Sequence, residues 1–297
     1  MKRKLYFAIL ICITLPFAYS QDTTALMANL AEINQAITLS SQDDPTLYLE
    51  RARILRELGR YEEAADDYSY LIVIDPGRYG YYCYLRAVVF NGMKKYHEAL
   101  DDINKAIEYD SENVLYYFWR GISYAQMDMN QEALVDYTRA IALSPPSFHA
   151  YGRRGLVYFK LKKYQDAIDD FNKAIELNPD YYNYYVERGG VYFDIKKYDE
   201  AMADYDRALS KAPPNSLPKI YCLKAMVYMV KGKYRDAYRD VNRAIECDPR
   251  YANAYLSRAT IYEAQAELAK RKSNKTKFQK LAKEDYATAE RLGYVSE

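Results

Sequence analysis

The sequence predicts an all-α fold, a solenoid of antiparallel helix pairs, and three recurrences predict it. Alanines return at positions 64, 99, 133, 167, 201 and 237, an aromatic block returns in phase with them, and proline closes most of the resulting units. The 35 Tyr beside a single Trp point the same way, because so many amphipathic rings imply one structural position used repeatedly.

The chain opens on Lys2, Arg3 and Lys4, an apolar run from Leu5 to Ala18, and the small-residue pattern Ala18-Tyr19-Ser20. That is the layout of a secretory signal, with cleavage expected after Ser20 and a mature chain that is periplasmic, envelope-associated or secreted. The run is shorter than the roughly 20 residues that span a bilayer and contains Pro16, so no transmembrane span is expected in the mature chain. Removing three basic residues leaves 39 basic against 41 acidic side chains, a balance that gives no reason to expect nucleic acid as a partner.

Residues 21–44 follow as an N-terminal capping helix, since Ile33-Asn34-Gln35-Ala36-Ile37 echoes Ile103-Asn104-Lys105-Ala106-Ile107. Six complete units are placed at 45–78, 80–113, 114–147, 148–181, 182–215 and 218–251. In each, a large apolar residue stands four places after the repeat alanine (Tyr68, Ile103, Tyr137, Phe171, Tyr205, Val241), on the same helical face. Pro76, Pro145, Pro179, Pro213 and Pro249 end the second helices, with Ser111 as the exception. A degenerate seventh unit occupies 252–297, interrupted by a basic insertion at 269–280 that is expected to be a solvated loop.

These columns resemble the tetratricopeptide repeat family, whose pattern of aromatic, Leu-Gly, Tyr, then Ala, aromatic and Pro is matched over most of the chain. The family's Trp becomes Tyr48, Tyr117, Tyr151, Tyr185, Tyr221 and Tyr255, with Cys83 in the second unit. The resemblance implies a right-handed superhelical solenoid whose concave side carries the ligand. One departure stands out. Where the family usually has Leu, this chain has Arg51, Arg86, Arg120, Arg154, Arg188, Lys224 and Arg258, matched by Asp67, Asp102, Asp136, Asp170, Asp204, Asp240 and Asp285. Equal numbers favour structural pairing across the helix seam, with the bases stacked on tyrosines, over an anion-binding row.

The resemblance places the concave stripe one, five and eight residues after the first Tyr of each unit. Its candidate partner-binding residues are Tyr84, Val88, Asn91, Phe118, Ile122, Leu156, Phe159, Val186, Phe193, Met226 and Met229. Such an apolar stripe with adaptable methionines suits a peptide or helix, and equally suits packing of first helices against each other. The Lys and Asn set that clamps a terminal carboxylate in part of the family is missing from every consecutive pair of units. The insertion supplies an alternative anion contact, Lys270, Arg271, Lys272, Lys275, Lys277 and Lys280.

Catalysis is not expected. His97 and His149 stand alone in their units and read as surface or turn residues, and no metal-ligand spacing, nucleophile elbow or phosphate loop is present. No cofactor is implied. Cys83, Cys222 and Cys247 are expected as free thiols, a Cys222–Cys247 bridge being the alternative. The function expected is a non-catalytic scaffold or adaptor of the cell envelope that binds a protein or peptide. An accessory subunit binding an anionic polymer or membrane surface through 270–280 is the alternative.

Overall fold

The computed structural model describes residues 23–40, 43–143 and 147–293. The segment expected to be a signal, and Pro145, lie outside these. Every regular element among the described residues is helical, and the helices divide into two compact units, residues 1–143 and 144–297.

In the first unit the helix α1 (Thr23–Leu39) precedes three helix pairs: α2 (Pro45–Glu57) with α3 (Tyr61–Ile74), α4 (Tyr79–Gly92) with α5 (Tyr96–Tyr109), and α6 (Val114–Gln126) with α7 (Asn130–Leu143). The second unit holds four pairs. They are α8 (Phe148–Lys160) with α9 (Tyr164–Leu177), α10 (Tyr182–Asp194) with α11 (Tyr198–Lys211), α12 (Leu217–Val230) with α13 (Tyr234–Cys247), and α14 (Ala252–Leu268) with α15 (Lys272–Arg291). Within each unit every helix packs mainly on its neighbours in sequence, the arrangement expected of a solenoid. Helix α1 buries Leu26, Leu30 and Ile33. Beside them Asn29 stands in the register of the repeat alanine and Glu32 in that of the seam aspartate, and both are exposed.

The turn inside each pair is built the same way. Lys94, Asp128, Lys162 and Lys196 adopt left-handed backbone, with φ between 57° and 62°, where Gly59 and Gly232 stand in the other complete repeats. The next amide then reaches back five residues, as in Lys163 N to Tyr158 O at 2.9 Å and Lys233 N to Tyr228 O at 2.8 Å. This satisfies a first-helix carbonyl that the turn would otherwise orphan. The turns between pairs are closed differently: Asp110, Asn178 and Asp248 accept the amide two residues on. Tyr117, Tyr185 and Tyr255 then donate their hydroxyls to the carbonyls of Ser111, Pro179 and Pro249. At these three positions of the family's Trp column the tyrosine hydroxyl therefore closes the turn.

Helix pairs close because small residues face large ones. The six repeat alanines are fully buried. A Cβ added to Gly121, Gly155 or Gly189 would come within 2.8, 3.1 and 2.6 Å of the rings of Tyr137, Phe171 and Tyr205, each sixteen residues on. Where Ala87 and Ala225 hold the same register, the residue sixteen places on shrinks to Ile103 and Val241, while Ala52 keeps Tyr68. Glycine therefore always meets a ring, and two of the alanines compensate for their extra carbon by a smaller residue opposite.

The basic insertion is a correction to the expected loop. Only residues 269–271 interrupt the helices; residues 272–280 belong to α15, which is 20 residues long, and α14 before them reaches 17. Lys, Gln and Ala without Gly or Pro are good helix formers, and extending both arms of a hairpin preserves the register between them. Arg258 still meets Asp285, 27 residues on instead of sixteen.

The seam predicts a coupled pair. Gly189→Ala is expected to destabilise the chain by about 1–3 kcal/mol through overpacking. Gly189→Ala/Tyr205→Val, which reproduces the Ala225/Val241 pairing, should cost less than the sum of its single changes by at least about 0.5 kcal/mol. Urea unfolding of the four proteins measures this, and strict additivity would contradict it.

Candidate binding surfaces

The regular charges come first, because their geometry decides whether they are free to bind anything. Arg51, Arg86, Arg120, Arg154, Arg188 and Arg258 each grip one carboxylate through Nε and Nη2, at 2.5–2.8 Å. The partners are Asp67, Asp102, Asp136, Asp170, Asp204 and Asp285, all within the same repeat. The carboxylates are 2–8% exposed and the arginines 11–25%. Rings stand over the guanidinium planes: Tyr117 and Tyr124 for Arg120, and Tyr185 and Tyr192 for Arg188. Burial is the largest influence on Arg188 and works against its charge, but the bond to Asp204, the charge of that carboxylate and the two tyrosines together outweigh it and leave the guanidinium held still more firmly ionised.

A third column, not noticed in the sequence, completes this unit. Nη1 of Arg51, Arg120, Arg188 and Arg258 donates to Asn34, Asn104, Asn172 and Asn242 of the preceding second helix, at 3.1, 2.9, 2.5 and 2.8 Å. Arg86 uses Ser69 instead. Each of these arginines therefore ties its own pair together and ties it to the previous one. The signal was present in the sequence, as Asn or Ser two residues after the seam acid. Only Ser123 among the buried polar residues described lies outside the Arg/Lys and Asp columns.

One repeat departs. Lys224 turns to Asp206, which replaces the usual Asn, at 2.6 Å, and stays 3.8 Å from Asp240. Both carboxyl oxygens of Asp240 are buried without a hydrogen bond. Burial pushes this carboxyl above its ordinary value in spite of Lys224, Arg239 and Arg243 nearby. Lysine is a point donor and cannot span two acids the way a guanidinium does. The substitutions at 206 and 224 compensate each other and leave Asp240 behind.

The expected stripe is distributed unequally. In the first unit Tyr84 and Phe118 are buried, Tyr84 against Tyr116 and Phe118 against Trp119 and Tyr137. Asn91 accepts from Ser123 Oγ of the next repeat, and Val88 and Ile122 are half-buried. Packing consumes the aromatic part of the stripe there. In the second unit Val186 is buried too, but both aromatics, Phe159 and Phe193, are only half-buried, as are Leu156 and Met229, and Met226 is 43% exposed. Gly152 and Gly190 thin this stripe. A Cβ on Gly152 would strike the ring of Tyr184, and one on Gly190 would stand 3.9 Å from Phe159.

Charged groups beside this second stripe were not anticipated. Glu187 follows Val186 on α10, and burial raises its carboxyl against the pull of Lys219 and Arg153. His149 corrects the expectation of a surface residue. Its ring lies 3.9 Å from that of Phe148 and 5.4 Å from that of Tyr181, with Nδ1 at 3.3 Å from Tyr184 Oη. Burial, with a smaller push from Arg153, lowers it to about 4, so it stays neutral. His97 is exposed.

The six cations of the insertion, Lys270 to Lys280, are all exposed, and among the described residues only Lys280 approaches an acid, Glu284 at 3.9 Å. Cys83 and Cys222 are buried free thiols, and Cys247 is free and exposed. Among the described residues no helix is long and apolar enough to cross a membrane.

Tetratricopeptide repeat profiles match residues 30–79, 81–113, 149–181 and 182–215, together about half of the chain. The chain belongs to the tetratricopeptide repeat family. No curated protein matches it significantly in sequence. Among solved structures it is similar to a tetratricopeptide repeat protein from Parabacteroides merdae, at 21% identity and TM-score 0.65 over 84% of this chain and 93% of the other. It is similar also to pilF of Pseudomonas aeruginosa, at 20% identity and TM-score 0.59 over 74% and 94%. YrrB, a tetratricopeptide repeat protein with an unusual peptide-binding site, matches at 20% identity and TM-score 0.50 over 64% and 96%. At these identities the likeness is one of fold. Tetratricopeptide repeat proteins serve generally as non-catalytic scaffolds for protein–protein contacts.

Two outcomes follow from this geometry. Arg120→Leu strands Asp136 and is expected to cost about 3–5 kcal/mol, whereas Arg120→Leu/Asp136→Leu should recover most of that loss. Equal losses of melting temperature in both would contradict the pairing. For His149 the unfolded chain binds the extra proton between the ordinary value of 6.5 and about 4. Its contribution is therefore full above pH 6.5 and lost as pH falls toward 4. Urea unfolding of His149→Phe against the parent should show the variant gaining about 2 kcal/mol relative to it between pH 7 and 4.5, and a constant difference would count against the buried neutral ring.

Proposed function

We propose that the protein is a non-catalytic scaffold of the cell envelope, exported by way of residues 1–20, that holds an apolar peptide or helix of a partner protein on the stripe of its second unit. The observation that carries this reading is the uneven stripe. Leu156, Phe159, Phe193, Met226 and Met229 keep part of their apolar surface uncovered, while in the first unit the aromatics of the stripe, Tyr84 and Phe118, are spent on packing and the positions that correspond to Phe159 and Phe193 hold Asn91 and Ala125. An unbranched thioether adapts to varied side chains at low cost, which suits Met226 and Met229 to a peptide contact. Glu187, Arg153 and Lys219 offer polar groups beside it, as the few fixed polar contacts of an otherwise apolar site require. YrrB, with its peptide-binding site, is a precedent within the family. Export rests on the basic, apolar and small-residue order of the first twenty residues.

A second reading takes the exposed cations of α15 as a contact for an anionic polymer or membrane surface. The two differ in their response to salt, since apolar contacts persist where screened charges weaken.

Capture from envelope extracts at about 0.1 M and about 1 M salt, with the parent chain and a Phe193→Ser/Met226→Glu variant, tests both. A partner retained at high salt by the parent and depleted at least about tenfold from the variant supports the stripe. Equal recovery by both removes it. Partners lost at high salt, and lost again on Lys272, Lys275, Lys277 and Lys280→Gln, would move the function to α15.

A further inference from the structure

Three devices hold the first helix of a repeat to its second: a guanidinium that grips the seam acid, a large side chain set against a small one, and a tight left-handed turn. In the pair α12–α13 all three take their least restraining form together: the grip is missing, the seam holds a valine in place of a ring, and the turn rests on glycine. Asp240 is 1% exposed, yet neither of its oxygens has a hydrogen bond. The cations that face it stand off: Lys224 of α12 at 3.8 Å, and Arg239 and Arg243 of α13 at 3.8 and 3.6 Å, both of these half-exposed. From α11, Asp206 faces the same group and takes the hydrogen bond of Lys224 for itself. The ring that other repeats set into the seam is replaced by Val241, opposite Ala225. Gly232, with φ of 69°, makes the turn, and glycine resists bending of the backbone least.

No other complete repeat combines these features. The repeat of Gly59 keeps Tyr68 and the Arg51–Asp67 grip. The repeat of Ile103 keeps the Arg86–Asp102 grip and turns on Lys94. We infer that α12–α13 is a compliant joint built into the array, at which the first and second helices of one repeat part more readily than in the pairs on either side. The hydrogen bond from Lys224 to Asp206 keeps α12 on the preceding repeat, so the movement lies between α12 and α13. Because α12 also carries Met226 and Met229, the joint gives way directly behind the methionine end of the stripe. The joint itself is a property of the free chain and stands whether or not the stripe holds a peptide.

Hydrogen exchange of the full chain, read helix by helix, tests the joint. At pH 7, amides of α12 and α13 should exchange at least about tenfold faster than those of α10–α11 and also of α14–α15. Protection that merely declines toward the C-terminus would overturn the inference. Asp206→Asn/Lys224→Arg rebuilds the arrangement of Asn172, Arg188 and Asp204, and should bring α12–α13 to within about threefold of α10–α11. Exchange unchanged by this repair would also overturn it. A second readout separates repair of the charge from general stiffening. Burial raises the Asp240 carboxyl, so the folded parent takes up a proton before the unfolded chain does and gains stability as pH falls. The difference in α12–α13 exchange between parent and repaired chain, each corrected for the intrinsic rate, should therefore narrow between pH 7 and about 4.5. A difference independent of pH would remove Asp240 from the account and overturn the joint as described.

Discussion

The bidentate Arg–Asp bond inside every repeat but that of Lys224 is the constraint on which the rest depends. A carboxylate that is 2–8% exposed is tolerable only if its charge and lone pairs are met, and a guanidinium meets both with two parallel bonds. Its third nitrogen reaches the preceding repeat, so one side chain sets both the closure of a hairpin and its stacking on the one before. The tyrosines follow from this. Around Arg120, Arg154 and Arg188 they flank the arginine three residues before and four after and cover its faces, and Tyr117, Tyr185 and Tyr255 also hydrogen-bond with their hydroxyls at the turns. The departures from the family pattern, Arg for Leu and Tyr for Trp, are thus one substitution viewed from two columns.

The same interaction explains where the repeat is imperfect. Lys224 cannot satisfy two acids, and Asp240 is left buried without a hydrogen bond. In α1, which has no first helix among the described residues, the two seam positions are taken by Asn29 and Glu32, both in contact with solvent. An acid in contact with water needs no guanidinium. The open stripe of the second unit belongs to the same pattern. Gly152 and Gly190 interrupt the succession of large side chains, and Met226 is left uncovered. Uncovered surface and mechanical compliance both arise where the repeat rule is incomplete.

Much of the fold was legible in the sequence because helical periodicity and repeat period reinforce one another: Ala64 to Ala237 mark the second helices, and the prolines their ends. The pairing of Arg120 with Asp136 was legible as two equal columns. The Asn104, Asn172 and Asn242 column was also written there, two residues past the acid, but a polar residue on a helix carries no sign of its partner until the neighbouring repeat is placed. His149 was misread because nothing in its sequence neighbourhood says that Tyr181 and Tyr184, more than thirty residues on, enclose its ring. The basic block was misread because charge density indicates solvent and says nothing about helix or loop.

What the sequence by itself determined is the set of local and repeated terms: helix pairs, the seam of small against large, the equal charge columns and the family they define. These depend on spacings of three, four, seven and about 34 residues, which a one-dimensional chain displays directly. Only the tertiary structure decided which apolar residues remain available. Tyr84, Phe118, Phe159 and Met226 all fall on the one stripe that the repeat period marks out, and nothing in that period says that Tyr84 and Phe118 are covered while Phe159 and Met226 keep exposed surface. Exposure is a property of neighbours, and the neighbours are set by packing between repeats.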